Sequence, residues 1–453
     1  MNLSTIILAA GQGSRMKSCI PKVMHEVASK PLIGHIINLV EKLKIKESSV
    51  VIGPGMKDLH DYIRFKNGTI KSIVQEERLG TGDAVKFGLK TIGNGSDVLV
   101  LYGDTPFIKA RTIEKMYEML LESPKNALIV LGFIAKDPAK YGRLIINQKD
   151  ELEDIVEFLD CDKQQRKINI CNSGVMLIRK EYANKLLNKI KPNNAKKEYY
   201  LTDLIKIACK EHLVCRYITV DEDEAVAINT REELAKAEEI IQRQLRNKFV
   251  ANGVTLVDQN TVYFAIDTII EQDVIIYPNV FFGSGVKIKS GSEIKSFSHL
   301  EGATIGNNAS IGPFARIRSG TTLGDKVKIG NFVELKNSQI NQDTKINHLA
   351  YIGDTTIGES VNIGAGTITC NYDGFNKYKT DIAKNVFIGS NTAIVAPVTI
   401  KEGAIIAAGS VITQNVNKDD LAVARAEQSN FAGKAIHIRE KKLKDQAEKR
   451  PDL

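Results

Sequence analysis

In the second half of the chain the apolar positions recur every six residues. Ile305, Ile311, Ile317, Leu323, Ile329 and Leu335 fall on one beat, and Gly306, Gly312, Gly324 and Gly330 follow four of them. The beat returns as Ile388, Ile394, Ile400, Ile406 and Ile412. Neither a helix, with a period of ~3.6, nor a strand, with a period of ~2, makes that spacing. A hexapeptide period predicts a parallel β-helix with the aliphatic residue of each repeat pointing to the axis. The coil is expected over 251–424, interrupted once at 370–382 by a polar segment carrying Tyr and Lys. Insertions in repeat proteins become loops on one face, often the binding face.

The first half has a different rhythm. Short apolar runs at 4–9, 49–52, 97–101 and 127–131 read as strands, and 31–43, 82–90 and 111–121 as helices. Strands alternating with helices predict an α/β domain with a mostly parallel sheet over 1–228. Residues 230–247 are polar and charge-laced and open with the capping box Thr230 to Glu233, which predicts a helical linker at 229–250. The rest, 425–453, is a charged tail, and its basic run Arg439 to Lys444 reads as a solvated end.

Composition narrows the classes. At 453 residues the chain is too long for one core. Its 43% hydrophobic and 26% charged residues are ordinary for a globular protein. No apolar run approaches the ~20 residues that span a bilayer. Residues 1–10 lack the basic start and cleavage site of a signal peptide. The six Cys form no Cys-x-x-Cys pair, so neither a zinc site nor a disulfide framework is indicated, and free thiols suit the cytoplasm. The formal charge of +8 raises nucleic acid as a partner, but no aromatic-basic module supports it. Phosphorylated small molecules call for the same cations.

Candidate chemistry sits in both halves. The first strand runs into Leu8-Ala9-Ala10-Gly11-Gln12-Gly13-Ser14-Arg15-Met16, with Pro21-Lys22 just after. Gly11 and Gly13 allow close approach of backbone N–H groups to a phosphate. Arg15 can fork onto phosphate oxygens and Lys22 adds a point charge. The string lacks the Gly-Lys-Ser/Thr ending of a Walker A loop and the third Gly of the dinucleotide fingerprint. Tyr102-Gly103-Asp104 ends a buried-strand pattern in a carboxylate, which serves equally as a turn former or a cation ligand. In the coil, Arg318 and Lys336 replace the usual Gly after an inward aliphatic residue. Asn347-His348-Leu349-Ala350-Tyr351 and Asn362 precede the interrupting loop with Asn371, Tyr372 and Lys377. A lone His is more often structural. One accompanied by cations and a loop suits a general base, because imidazole titrates near neutrality.

The string from Leu8 to Met16 with Pro21-Lys22 resembles the signature of sugar-phosphate nucleotidyltransferases, and Gln75 to Gly82 resembles the uracil loop of uridyltransferases. With the coil constellation, the chain resembles over about 3–428 the bifunctional N-acetylglucosamine-1-phosphate uridyltransferase/glucosamine-1-phosphate acetyltransferase family. The resemblance implies a Rossmann-like α/β nucleotidyltransferase domain, a helical linker and a left-handed parallel β-helix through which the chain forms a homotrimer. It implies UTP and UDP-N-acetylglucosamine binding by Leu8, Ala9, Gly11, Lys22, Gln75, Gly80, Thr81, Tyr102, Gly103, Asp104, Gly142, Glu157, Asn172 and Asn229. Arg15 and Lys22 would be catalytic, and Asp104 and Asn229 would hold Mg²⁺. In the coil His348 would be the base, with Arg318, Lys336, Tyr351, Asn362 and Lys377 on glucosamine 1-phosphate. Asn371 and Tyr372 would lie beside the reacting amine and thioester, and Ala365, Ser390, Ala408 and Arg425 on the acetyl-CoA side. Asp83 and Leu159 depart from the family's common His and Lys, and Phe314 and Ser319 from its Tyr and Pro. The implied partners are small molecules, without nucleic acid or membrane, and the implied location is the cytoplasm. A coil that only oligomerises a single-activity enzyme would need neither His348 nor its cations, and a non-catalytic subunit would not need Gly11, Arg15, Lys22 and Asp104.

Overall fold

The strand Leu3–Ala9 is buried along its whole length, as a central parallel strand covered on both faces must be. It pairs in parallel with Glu47–Ile52 on one side and Asp97–Tyr102 on the other. In this computed structural model, which describes residues 1–66, 70–93, 95–138, 141–192, 194 and 197–448, the chain divides into two compact units. One is Met1–Lys248 with Tyr263–Ile266, and the other is Phe249–Val262 with Asp267–Leu453. The last residues of the charged tail, 449–453, lie outside the described residues.

The sheet of the N-terminal unit runs Val214–Asp221, Asn126–Ile134, Ile170–Ile178, Asp97–Tyr102, Leu3–Ala9, Glu47–Ile52, Ile70–Val74. Successive residues alternate between its two cores. Ile7 joins Ile33, Ile36 and Ile113 on one face, while Ile6 joins Val85, Leu186 and Leu204 on the other. Only Ile170–Ile178 of these seven runs antiparallel to its neighbours. It carries a bulge between Asn172 and Met176, where Gly174 adopts φ +89° and donates its N–H to Asn172 Oδ1 at 3.0 Å. A Cβ on Gly174 would meet the Tyr102 ring at 2.7 Å, so the bulge is pressed onto the strand end that carries Tyr102 and Asp104.

The helix Arg231–Ala251 opens as the capping box predicts. Thr230 Oγ1 accepts from Glu233 N at 3.2 Å, and Glu233 Oε2 accepts from Thr230 N at 3.1 Å and Asn229 N at 2.6 Å. Buried Gln242 donates to Phe264 O at 2.7 Å and accepts from Phe264 N at 2.8 Å, which brings Tyr263–Ile266 back to this unit.

The second unit is a stack of short parallel strands in three sheets. Ile276, Ile294, Ile311, Ile329, Ile346, Ile363, Ile388 and Ile406 lie in register as one buried column. It is the left-handed β-helix of hexapeptide repeats. The tightness of the coil decides where Gly is needed: a Cβ on Gly330 would sit 1.8 Å from Asn347 O. Some buried hydroxyls pair across turns: Thr344 Oγ1 donates to Gly358 O at 2.8 Å and accepts from Val361 N at 3.1 Å. The interruption is an ordered hairpin. Tyr372 bridges antiparallel to Lys377, and Asp373 Oδ1 accepts from Phe375 N and Asn376 N at 2.8 and 2.6 Å. The coil resumes at Thr380–Ile382. Beyond it, Lys434–Glu448 is an exposed helix.

Candidate active sites

A cleft of about 370 Å³ opens at the carboxyl end of the first strand. Leu8, Ala9, Gly11, Lys22, Gln75, Gly80, Thr81, Tyr102, Asp104 and Asn229 line it. Ligands of open α/β sheets bind at such strand ends. Gly13 turns the loop at φ +65°, and a Cβ there would sit 2.5 Å from Lys22 Cβ. Lys22 therefore packs against the loop and reaches inward. Its ammonium bonds to the Asp104 carboxylate and donates to Asn229 Oδ1 at 2.9 Å, and Arg15 Nη2 donates to the same oxygen at 3.1 Å. Ile228 N donates to Asp104 O at 3.0 Å, tying the strand end that carries Asp104 to the segment that carries Asn229. Gly103 donates its N–H to Leu8 O at 3.0 Å, joining the two strand ends.

The uracil-loop candidates are held from beneath. Gln75 is buried, and its amide nitrogen donates to Asp83 Oδ2 at 2.7 Å and Gly80 O at 3.4 Å. Both amide hydrogens are thereby used, and the carboxamide oxygen remains as an acceptor. Gly80, at φ +117°, lies against Tyr199, whose carbonyl would be 2.7 Å from a Cβ there. The sugar-end candidates are brought together at the bulge: Asn172 N donates to Gly142 O at 2.9 Å, and Glu157 Oε2 lies 3.5 Å from the Cβ position of Gly142. Burial first, then the Glu157 and Asp104 carboxylates, push the Tyr102 phenol up, so it stays a donor between the two ends of the cleft. Leu159 is exposed.

In the coil, Asn331 and His348 are register partners, and His348 Nδ1 lies 2.8 Å from Asn331 Oδ1. That oxygen only accepts, so Nδ1 carries the hydrogen and Nε2 keeps its lone pair. His348, Ala365, Ser390 and Ala408 each follow by two residues the stacked aliphatics Ile346, Ile363, Ile388 and Ile406. They therefore run down one corner, and Arg425 Nη1 closes the column by donating to Ala408 O at 2.6 Å. On another sheet Tyr351 pairs with Glu334, and Lys336 with Gly353. Arg318 donates to Glu334 Oε1 at 2.8 Å, which holds its guanidinium charged. Lys377 beside Lys336 is the main reason the Lys336 amine lies below the usual lysine range, with Arg318 adding to the effect and Asp354 opposing it. Asn371 Nδ2 donates to Asp354 Oδ2 at 2.5 Å, and Tyr372 Oη to Gly374 O at 2.5 Å. Asn362 stands apart from Arg318, Lys336 and Tyr351. It lies on the sheet of Lys345 and Phe387, on a different side of the coil.

Residues 5–166 match the MobA-like NTP transferase domain, and 302–337 and 379–414 match the bacterial transferase hexapeptide family of six repeats. Over 448 residues the chain is 44% identical to the bifunctional protein GlmU of Paramagnetospirillum magneticum, covering 99% of each chain. It is 45% identical to that of Zymomonas mobilis over 446 residues, covering 97% of this chain and 98% of the relative. It is 47% identical to that of Brucella anthropi over 438 residues, covering 96% of each. The chain belongs to the GlmU family.

Four residues of this GlmU family member support the candidate sites and were not found from its sequence. Arg78 lines the cleft and donates from Nε to Ala10 O at 2.8 Å. Asn331, Glu334 and Asp354 orient His348, Arg318 and Asn371. Their separations of 17, 16 and 17 residues are the signal that could have found them, since each is close to one turn of the coil.

Proposed function

We propose that the chain makes UDP-N-acetylglucosamine by two reactions at separate sites. The coil acetylates glucosamine 1-phosphate from acetyl-CoA, and the N-terminal domain couples the product to UMP from UTP. What carries this reading is one chain bearing two constellations: cations with a carboxylate at a strand-end cleft, and, on a β-helix, a polarised His together with a separate cluster of cations. We assign the uridyl site to 1–228 with Asn229 of the linker, and the acetyl site to 251–424.

In acetyl transfer, His348 Nε2 takes a proton from the substrate ammonium. The freed amine attacks the thioester carbonyl; the amide C–N bond forms, the C–S bond breaks, and the proton the nitrogen then sheds goes to the departing sulfur, so CoA leaves as the thiol. Arg318, Lys336 and Lys377 hold the sugar phosphate, and Asn371 and Tyr372 flank the reacting groups. The column of Ala365, Ser390 and Ala408 leaves room for the pantetheine arm, with Arg425 at its end. The position of Asn362 on another side of the coil supports a homotrimer in which a second copy supplies it.

In uridyl transfer, a phosphate oxygen of N-acetylglucosamine 1-phosphate attacks the α-phosphorus of UTP. One P–O bond forms, the α–β P–O bond breaks, and pyrophosphate leaves. The nucleophile is already an anion, so Arg15 and Lys22 act by positioning and charge stabilisation. Asp104 and Asn229 fit a Mg²⁺ ion: two hard oxygens already converge on the Lys22 ammonium. When bound, the ion supplies neutralisation of the triphosphate charge. The absence of any long apolar helix among the described residues, with dispersed free thiols, supports a cytoplasmic setting. Separate assays of CoA release and pyrophosphate release test the proposal. Both are expected from the purified chain, and a chain releasing only one would overturn the bifunctional reading.

A further inference from the structure

Lys22 stands where a divalent cation would. Its ammonium contacts both Asp104 and Asn229, and the Lys22 and Asp104 side chains are each only 13% exposed. The two acceptors are held together, because Ile228 N binds Asp104 O at 3.0 Å and the capping box fixes Asn229 N on Glu233. The stem of Lys22 is pinned against Gly13. Only the end of the side chain is free to swing. Asn229 Oδ1 is doubly engaged, by Lys22 and by Arg15 at 3.1 Å.

We propose that Lys22 is the resident counter-cation of the metal position, and that it must leave Asp104 and Asn229 before a divalent ion can bind there. This rests on the reading of those two residues as the metal ligands. An ammonium and a divalent ion cannot share the same pair of oxygens, because two cations ~4 Å apart repel strongly in a partly buried site. Mg²⁺ gives up water reluctantly and is held by one or two carboxylates together with substrate phosphates. A free ion therefore meets one carboxylate that is already paired. An arriving triphosphate changes both sides of the exchange. It offers Lys22 and Arg15 new anionic partners, and it offers the ion the oxygens that the protein lacks. Metal and UTP should therefore bind synergistically, and the coupling should pass through the Lys22 charge. Coupling of this kind is reciprocal between the two ligands.

The test is an electron paramagnetic resonance titration of the full-length protein with Mn²⁺, with and without UTP. The wild type should bind Mn²⁺ weakly on its own and more tightly with UTP. Lys22→Met should tighten Mn²⁺ binding in the absence of UTP by about fivefold, the scale of one lost competing ion pair. The same variant should shrink the Mn²⁺–UTP synergy. Lys22→Gln should behave alike, and circular dichroism of both variants checks the fold. If Lys22→Met and Lys22→Gln fold yet bind Mn²⁺ no more tightly, while Asp104→Ala abolishes binding, the counter-cation proposal falls and the metal site stands. If Asp104→Ala leaves Mn²⁺ binding unchanged in every background, the metal-site reading itself falls.

Discussion

The imidazole of His348 owes its direction to one neighbour. Asn331 takes the Nδ1 hydrogen at 2.8 Å, which leaves Nε2 with its lone pair, as the proposed base requires. His348→Ala is expected to lower acetyl transfer by about 10²–10⁴-fold, the range of a positioned general base. The loss should fall mainly on kcat, with pyrophosphate release from supplied N-acetylglucosamine 1-phosphate unchanged. A joint fall of both activities would instead make His348 a packing residue. At the other site Gly11 differs from the coil glycines, since nothing lies within 4 Å of a Cβ built there. Gly11→Ala should therefore fold normally and raise KM for UTP, because the methyl would occupy cleft space. A lowered melting temperature with unchanged KM would count against that role. His348 was legible in the sequence through its company of cations, whereas Asn331 was not, because register between turns, rather than local sequence, makes them neighbours.

Among elements, the β-helix is the one whose spacing is least forgiving. Each turn rests on the next through backbone bonds, and Gly330 lies under the Asn347 carbonyl with 1.8 Å left for a Cβ. Gly330→Ala must push two turns apart beside His348. It should lower the melting temperature of the coil's transition and impair CoA release, while pyrophosphate release persists. An unshifted transition by calorimetry would show that the turns separate at no cost. The six-residue beat announced this element. The antiparallel strand Ile170–Ile178 was not announced: its apolar run reads like any buried strand, and direction is set by which neighbours it pairs with.

For the whole molecule, the N-terminal unit does not end with its helix. Gln242 is buried and spends both ends of its amide on Phe264. A fragment ending at 248 strands that amide, whereas one ending at 266 keeps its partner. The shorter fragment should be less stable by about 1–3 kcal/mol, the cost of an unsatisfied buried polar group. Its melting temperature should lie several degrees lower, at roughly 2–4 °C per kcal/mol for a domain of this size. Equal melting curves would remove Phe264 from the account. The longer fragment should keep uridyl transfer and lack acetyl transfer.

The sequence by itself determined the two architectures and the capping box at Thr230, and it singled out the candidate chemical residues. These are carried by periodicity and by short contiguous strings, which local sterics and side-chain chemistry translate directly. Tertiary structure alone decided what touches what. Strand order put Gly174 against Tyr102, the end of one strand and the start of a helix put Asp104 and Asn229 around Lys22, and the pitch of the coil put Asn331 on His348. It also set Asn362 on a different sheet of the coil from Tyr351, eleven positions before it in sequence. The physical reason is common to all of these. Contacts between residues distant along the chain depend on register and packing, which no local pattern of residues encodes.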